Sequence, residues 1–260
     1  MIVEQLWVGN SYRNFNYLIA CPATGDALAI DPLDYEQCLR VARERGWTVS
    51  KIVNTHEHGD HIGGNKAMVK ATGAVIIAHK DAGPRIPNVG RGVAAGDVIT
   101  VGSSVELECL DTPGHTMSHV CLLSRTDPPA LFSGDTMFNA GAGNCHNGGH
   151  PEELYETFIN ILDKLPDNTR IYPGHDYLLN NLSFTLDREP GNDYAKTMLE
   201  RHRNQDPASA YVTTLAEERR MNTFFRLDSP GVAETLEAEY GTRFNPKQTF
   251  LKLRELRNNW

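Results

Sequence analysis

The sequence predicts a layered α/β protein with mixed sheets, followed by a helical region. Through the first two-thirds of the chain, short β-rich runs alternate with turn signals, and few helices intervene. From His175 onward the pattern changes to helical segments separated by Pro-Gly and Asp-Pro breaks. This change places a domain boundary near residues 173–181, so we expect one domain over residues 1–174 and a second over residues 175–260.

Each predicted strand is a short run rich in apolar and β-branched residues and bounded by turn-forming residues. The predicted strands span residues 2–8, 15–21, 27–30, 51–54, 74–78, 98–101, 105–110, 119–123, 130–132 and 170–172. Helices are predicted between them at about residues 35–45, 66–72 and 151–165. The last of these begins with Pro151, which suits a first helical turn, and Glu152 and Glu153 complement the helix dipole.

The C-terminal region is predicted to be helical over residues 176–187, 193–204 and 246–258. In addition, Thr214 is followed three residues later by Glu217, which is the pattern of a capping box at a helix start.

Composition and charge limit the kind of protein this is. The net charge of -8 argues against a general nucleic-acid surface, although it leaves room for a local basic pocket. The first residues lack the charged and apolar regions of a signal peptide, and no apolar stretch reaches the roughly 18 residues of a membrane span. The cysteines are scattered, odd in number and without a C-x-x-C pair, so a reduced cytoplasmic protein is expected, with a single disulfide as the alternative. They are Cys21, Cys38, Cys109, Cys121 and Cys145.

A dense polar cluster follows the predicted strand at residues 51–54 and precedes a helix-like run. Its members are His56, Glu57, His58, Asp60 and His61. Burying this cluster without a metal would leave many unpaired polar groups, each costing on the order of 1–3 kcal/mol. Metal ligation removes that cost, so the cluster predicts a metal site.

Three further candidate ligands lie downstream, and each follows a predicted strand and a glycine-containing turn. They are His115, Asp135 and His175. This placement brings side chains from several strand ends to one edge of a sheet. All candidate ligand atoms are nitrogen or oxygen, which suits zinc, iron or manganese without choosing among them. The other histidines outside this pattern are predicted to be ordinary; they are His79, His119, His150 and His202.

The spacing His-x-His-x-Asp-His, with distant His, Asp and His residues, resembles that of the metallo-β-lactamase fold superfamily. The resemblance implies an αββα sandwich with the site at one sheet edge and with two divalent metal ions per chain. We expect zinc, with iron or manganese as alternatives. The resemblance implies one ion on His56, His58 and His115. It implies a second ion on Asp60, His61 and His175, with Asp135 bridging the two.

The chain further resembles the glyoxalase II family, the hydroxyacylglutathione hydrolases, nearly from end to end. The segments that carry this likeness are residues 55–64, 113–116, 134–138, 174–177, 180–182, 189–192 and 214–218, together with a basic C-terminal helix. The resemblance implies hydrolysis of S-D-lactoylglutathione to D-lactate and glutathione, through attack by a metal-bridging hydroxide. Asp60 and Asp135 would be the catalytic carboxylates. The expected partner is therefore a small glutathione thioester, with no nucleic acid and no membrane, and the protein is expected to be a monomer.

The expected substrate contacts follow the family pattern only in part. Arg254 and Arg257 match an Arg-x-x-Lys pair that holds the glycine carboxylate of glutathione, and Tyr177 matches a substrate-contacting tyrosine. Asn144 and His146 stand where the family usually has lysine and tyrosine. The alternative is therefore a metallohydrolase of the same fold that acts on a different thioester, a lactone or a phosphodiester.

Overall fold

Two six-stranded β-sheets form the centre of the computed structural model, which describes residues 1–260. In the first sheet the strands lie side by side in chain order. They are β1 (Ile2–Trp7), β2 (Phe15–Ala20), β3 (Asp26–Ile30), β4 (Thr48–Val53), β5 (Val75–His79) and β6 (Val89–Val93). Strands β1 to β3 pair antiparallel, and β3 to β6 pair parallel. Parallel pairing needs crossovers, which include α1 (Tyr35–Arg45), α2 (Gly59–Ile62) and α3 (Asn65–Thr72).

The second sheet is mainly antiparallel. Its strands are β7 (Val98–Val101), β8 (Val105–Asp111), β9 (Val120–Ser124), β10 (Ala130–Gly134), β13 (Arg170–Pro173) and β14 (Thr213–Thr214). Strands β10 and β13 pair parallel, and helix α4 (Pro151–Asn160) lies between them in the chain. A separate small hairpin pairs β11 (Met137–Phe138) with β12 (Gly141–Ala142) directly after β10.

The helical C-terminal region covers the second sheet. Its helices are α5 (Leu178–Arg188), α6 (Asp193–His202), α7 (Leu215–Met221), α8 (Pro230–Tyr240) and α9 (Pro246–Asn258). Short 3₁₀ turns lie at Lys80–Arg85, Leu162–Lys164, Pro207–Ser209 and Thr223–Phe225. The capping box expected at Thr214 and Glu217 is present at the start of α7. No helix of the structure combines the length and hydropathy that a bilayer crossing requires.

Three apolar clusters hold these layers together. Between the sheets, Tyr17 packs edge-on against Phe132 and Tyr172, with ring centroids 5.5 and 5.7 Å apart. A second cluster joins α1 and α3 to the outer face of the first sheet, and a third joins α4, α5, α8 and α9 to the outer face of the second. The order of layers is therefore helix, sheet, sheet, helix, which confirms the expected αββα sandwich with a C-terminal helical region.

The predicted strands are all present, with boundaries shifted by a few residues, but several other elements were missed. The predicted helix at 151–165 ends at Asn160 and continues only as a 3₁₀ turn. Strand β6 has the sequence Val-Gly-Arg-Gly-Val and was not predicted, because glycine has a lower β propensity than the residues of the other strands. Strand β14, from the helical region, adds an edge strand to the second sheet, so the two regions share hydrogen bonds. The five cysteines are all free in the structure.

Candidate metal centre

The candidate ligands converge at one edge of the sandwich, where four strands end. The His56–His61 cluster follows β4, His115 follows β8, Asp135 follows β10 and His175 follows β13. His56, His61, His115, Asp135 and His175 are buried, whereas His58 and Asp60 are half-buried. The expectation that side chains from separate strand ends would meet at a sheet edge is met for the whole ligand set.

The first group consists of His56, His58 and His115. The Nδ1 of His58 lies 3.0 Å from the Nε2 of His56 and 3.0 Å from the Nε2 of His115. Two nitrogens bound tetrahedrally to one zinc ion at 2.0–2.1 Å would be separated by about 3.3 Å. The observed separations are close to that value.

The second group consists of Asp60, His61 and His175. The two imidazoles face each other with their Nε2 atoms 3.2 Å apart, and Asp60 Oδ2 lies 3.6 Å from each. Asp135 stands between the two groups. Its Oδ1 is 3.4 Å from His61 Nε2, and its Oδ2 is 3.1 Å from His175 Nε2 and 3.5 Å from His115 Nε2.

In each imidazole, the nitrogen that points away from the ligand group has a hydrogen-bond partner that determines where the ring proton lies. Asn147, Asn144 and Tyr12 each present a main-chain carbonyl to a histidine, and a carbonyl can only accept a hydrogen bond. The carbonyls therefore receive the N–H of His58 at 3.0 Å, of His115 at 2.6 Å and of His175 at 2.7 Å, respectively. Each of these three rings is left with its lone pair directed into the site. This is the arrangement found around metal-ligating histidines.

The rings of His56 and His61, which lie deeper, also have a hydrogen-bond partner at the nitrogen that points away from the site. The Thr55 hydroxyl donates to Asp31 at 2.6 Å, so it is left to accept from His56 Nδ1 at 3.0 Å. The Nδ1 of His61 donates to Asp31 Oδ2 at 2.9 Å. All five imidazoles direct a ring nitrogen at a neighbouring ring over 3.0–3.2 Å within each group. Burial lowers the pKa of His61, but Asp135 and Asp31 outweigh it and hold that pKa well above its ordinary value, so His61 carries a proton that a shared cation would replace.

Charge and burial support the same interpretation. Burial opposes ionisation of Asp135, but the imidazoles of His175 and His61 outweigh it and hold the pKa of Asp135 well below its ordinary value. Its buried Oδ1 nevertheless has no hydrogen-bond donor. Burial lowers the pKa of His115 to about 4 and that of His56 well below its ordinary value, so both are neutral ligands at pH 7. An ionised, buried carboxylate oxygen without a donor, surrounded by imidazole nitrogens, fits a bound metal cation.

Asp31 is a site residue that the sequence analysis missed. It follows β3 directly and adopts a positive φ of 47°. Its carboxylate accepts the Thr55 N–H at 2.9 Å as well as the contacts from the Thr55 hydroxyl and His61. The signal was available, because Asp31 immediately follows the predicted strand at 27–30, as the other strand-end ligands follow theirs.

His119 was expected to be an ordinary histidine, and the structure corrects this. It is buried and stacked on His56, with ring centroids 5.1 Å apart. Its Nε2 accepts the backbone N–H of Asp135 at 3.1 Å, while its Nδ1 lies between the hydroxyls of Thr112 and Thr136. Burial lowers the pKa of His119 well below its ordinary value, which keeps it neutral and able to accept. It positions Asp135 and packs against His56, but both of its ring nitrogens are engaged outside the two ligand groups.

Asn14 was also missed and supports Asp60. The side chain of Asn14 is buried, and its Nδ2 donates to Asp60 Oδ2 at 3.0 Å. Asn10 in turn donates to Asn14 Oδ1 at 2.7 Å, which fixes the amide orientation. A single asparagine directly before a strand carries no distinctive pattern, so nothing in the sequence marked it.

The expected substrate residues meet in one cavity of about 300 Å³. Its lining includes Asn144, His146, Tyr177, Arg254 and Arg257, all five predicted substrate contacts. The Tyr177 ring stacks on His175 with centroids 5.1 Å apart and planes 4° from parallel. The cavity therefore adjoins the candidate metal centre.

Comparison with known proteins agrees with this geometry. The family model described as metallo-beta-lactamase superfamily matches residues 17–175, and the model described as hydroxyacylglutathione hydrolase C-terminus matches residues 176–260. A hydroxyacylglutathione hydrolase of Polaromonas sp. is 60% identical over the full length of both chains, and one of Nitrosococcus oceani is 58% identical over the same extent. The chain belongs to the hydroxyacylglutathione hydrolase family. Among solved structures, ETHE1 from Myxococcus xanthus is 27% identical with a TM-score of 0.67, covering 99% of this chain and 98% of that one.

The two arginines of this hydroxyacylglutathione hydrolase family member differ in availability. Arg257 is half-buried, and its Nε and Nη2 donate to Asn181 Oδ1 at 3.3 and 3.1 Å, which leaves three N–H groups unused. Arg254 is buried, and four of its five N–H groups are occupied within the protein. The expectation that both arginines hold the substrate carboxylate stays a prediction: Arg257 has three N–H groups available in the cavity, and Arg254 has one.

Proposed function

We propose that this protein is a metal-dependent thioester hydrolase that converts S-D-lactoylglutathione to D-lactate and glutathione. The observation that carries the proposal is the cavity between Tyr177 and Arg257, which lies directly beside the candidate metal centre. A glutathione thioester needs both features: a cationic site for the glycine carboxylate and a reactive centre for the thioester carbonyl. The full-length relation to hydroxyacylglutathione hydrolases supports the same reaction.

We further propose two divalent ions, with zinc expected and iron or manganese as alternatives. His56, His58 and His115 would hold one ion, Asp60, His61 and His175 would hold the other, and Asp135 would bridge them. Ions bound there would supply an activated water and polarise the thioester carbonyl.

Neighbouring side chains hold the two carboxylates of this centre in place. Asp60 is fixed by Asn14, and Asp135 is fixed by His119 at its backbone N–H. Because a thiolate is a good leaving group, no strong general acid is needed. Tyr177 would be unsuited to that role, since burial raises its pKa and its hydroxyl already donates to the Tyr12 carbonyl at 2.9 Å.

In the cavity, we propose that Arg257 holds the glycine carboxylate of glutathione. A guanidinium with three unused N–H groups can bind a carboxylate through two parallel hydrogen bonds. Asn144, His146 and Tyr177 would contact the rest of the thiol carrier, and Arg254 would contribute its charge from the cavity wall.

The proposed organisation needs only one chain, because every ligand and cavity residue comes from it, and we propose a monomer. The proposed division lies between residues 174 and 175, which leaves His175 at the start of the helical region. A cytoplasmic location also stays a proposal; five free cysteines and a glutathione substrate both suit a reducing compartment.

A second candidate function is hydrolysis of a different thioester at the same centre. The observation that favours it is the exposure of Asn144 and His146 on the cavity wall, where the family usually has a cation and a tyrosine. A carrier without the glycine carboxylate would not need that cation.

The deciding experiment is a steady-state comparison of S-D-lactoylglutathione with coenzyme A and carrier-protein thioesters of the same acyl group. The proposal expects the highest kcat/KM for the glutathione thioester. A higher value for either of the other two would transfer the assignment to that carrier, while hydrolysis of none of them would refute thioesterase function.

A further inference from the structure

Arg254 is a buried cation that has no carboxylate partner. It lies on α9, and its side chain forms no ion pair with any acid in the structure. Its Nη1 donates to the main-chain carbonyls of Ala142 at 2.6 Å and Gly143 at 3.0 Å, while its Nε and Nη2 donate to Asn258 Oδ1. Burial lowers the pKa of Arg254 to about 10, which still leaves it charged at neutral pH. The guanidinium therefore holds the main chain at residues 142–143 through hydrogen bonds and pairs with no carboxylate.

That backbone lies against the metal ligands. A Cβ added at Gly143 would fall 1.8 Å from the Asp135 carbonyl oxygen and 3.1 Å from His115 Nδ1. The Gly143 N–H also donates to the Thr136 carbonyl at 3.2 Å. Residues 142–143 are thus fixed between the Arg254 guanidinium on one side and Asp135 and His115 on the other.

The same segment continues into the carbonyls that orient two of the imidazoles. The Asn144 carbonyl accepts from His115 Nδ1 at 2.6 Å, and the Asn147 carbonyl accepts from His58 Nε2 at 3.0 Å. These two contacts turn the other nitrogen of each ring towards the first ligand group. A shift of residues 142–147 would therefore move both hydrogen-bond acceptors together.

From this chain of contacts we infer that Arg254 is a positioning residue for the first ligand group: it holds the main chain at residues 142–143, and through that segment it orients His115 and His58. The helical region thereby contributes to metal binding as well as to the substrate cavity. The inference rests on the proposed function only in taking His56, His58 and His115 as metal ligands.

The test compares metal binding with substrate binding in matched variants. We would titrate the metal-free wild-type protein and the two variants Arg254→Met and Arg257→Met with Zn²⁺ in competition with a chromophoric chelator. KM and kcat would then be measured on the zinc-loaded proteins. Removing a partner that orients a metal ligand typically weakens metal binding 10–100-fold, and Arg254 acts one contact further away, so we expect a loss of about tenfold for one of the two ions. In Arg254→Met, kcat should fall together with Zn²⁺ affinity, and KM should rise less than in Arg257→Met. In Arg257→Met, KM should rise and Zn²⁺ affinity should stay at the wild-type value.

Two further variants separate positioning from general destabilisation. Arg226→Met breaks an ion pair with Glu189 elsewhere in the helical region, so it should lower the Tm without changing Zn²⁺ affinity. Arg254→Lys keeps the charge and can reach one of the two carbonyls, so it should recover part of the lost affinity. If Arg254→Met does not fold, Arg254→Lys and Asn258→Ala, which removes the acceptor that fixes the guanidinium, supply the same two readouts.

Wild-type Zn²⁺ affinity in the Arg254 variants, together with a raised KM, would overturn the inference and make Arg254 a substrate contact. Failure of the proposed function gives a different result: a wild-type protein that binds Zn²⁺ but hydrolyses no thioester.

Discussion

His61 donates its Nδ1–H to Asp31 Oδ2 over 2.9 Å, at the base of the second ligand group. Asp31 is fixed in turn by the backbone and hydroxyl of Thr55, and Thr55 also accepts from His56. The Asp31 carboxylate therefore determines which ring nitrogen carries the outward-facing proton in one histidine of each group. It does so directly for His61 and through Thr55 for His56.

This relationship predicts the effect of Asp31→Asn. If the new Oδ1 accepts the Thr55 N–H, its NH₂ group faces His61 Nδ1, which then has to accept and carry its proton on the inward Nε2. We expect binding of the second ion to weaken 10–100-fold and kcat to fall with it. Metal analysis after dialysis against a weak chelator checks this. Asp34→Asn, at the start of α1 and away from both groups, is the matched control. Full retention of two ions in Asp31→Asn would contradict the prediction.

The place of Asp135 between both ligand groups predicts a shared loss of metal. In Asp135→Ala, both ions should bind more weakly and activity should fall by orders of magnitude. The protein should stay folded, because Asp135 lies in a loop at the sheet edge. Elemental analysis of the reconstituted wild type should approach two ions per chain, with circular dichroism as the check on folding of the variant. A wild type that saturates at one ion would disprove the binuclear site, and a fully active Asp135→Ala would rule out the bridge.

The cavity wall predicts a gain of substrate affinity in Asn144→Lys with His146→Tyr. One added charge-assisted hydrogen bond contributes roughly 1.5–3 kcal/mol, so KM for S-D-lactoylglutathione should fall about ten- to hundredfold. kcat should change little, because neither side chain contacts a ligand group. The Asn144 carbonyl that holds His115 belongs to the main chain and stays in place. His150→Tyr, an exposed change in the same loop but outside the cavity, is the control. An unchanged KM would show that these positions do not touch the thiol carrier.

Glu218 predicts a pH dependence of stability. Burial raises its pKa from 4.5 to about 7, even though Thr213, Asn222 and the Ala140 N–H donate to it, and the nearby Glu217 raises it further. Because the pKa is higher in the folded state, the folded protein binds more protons between these values, and stability is lost as pH rises from about 4.5 to about 7. At 1.36 kcal/mol per pKa unit over 7 − 4.5 = 2.5 units, the loss is on the order of 3 kcal/mol.

Glu218→Gln removes this titration. Whatever the variant costs at pH 5, the difference in unfolding free energy between wild type and variant should shift in favour of the variant by pH 8. Urea unfolding at the two pH values measures that difference, and other titrating groups cancel because both proteins share them. A difference that stays constant with pH would show that Glu218 is ionised at both.

Much of the site could be predicted because its chemistry is concentrated in short motifs. The cluster from His56 to His61 predicts a metal site from a few adjacent residues. The strand-end positions of His115, Asp135 and His175 follow from local patterns. Strands β10 and β13 pair parallel, and β8 runs in the same direction as β10 because β9 pairs antiparallel with both, so the ends of these three strands lie at one edge of the sheet. The capping box at Thr214 was equally predictable, because it involves residues only three apart.

The sequence by itself thus predicted the layered fold, the helical region and the candidate ligand set, all of which depend on periodicity or short spacing. Only the tertiary structure decided what each polar side chain contacts. His119 reaches Asp135 across 16 positions of the chain, and Arg254 reaches Ala142 across 112. Contacts over such separations depend on how sheets and helices pack, which no local pattern encodes. Arg254 was predicted as a substrate contact and does line the cavity, but its hydrogen bonds to the main chain beside the candidate metal ligands could be found only in the folded protein.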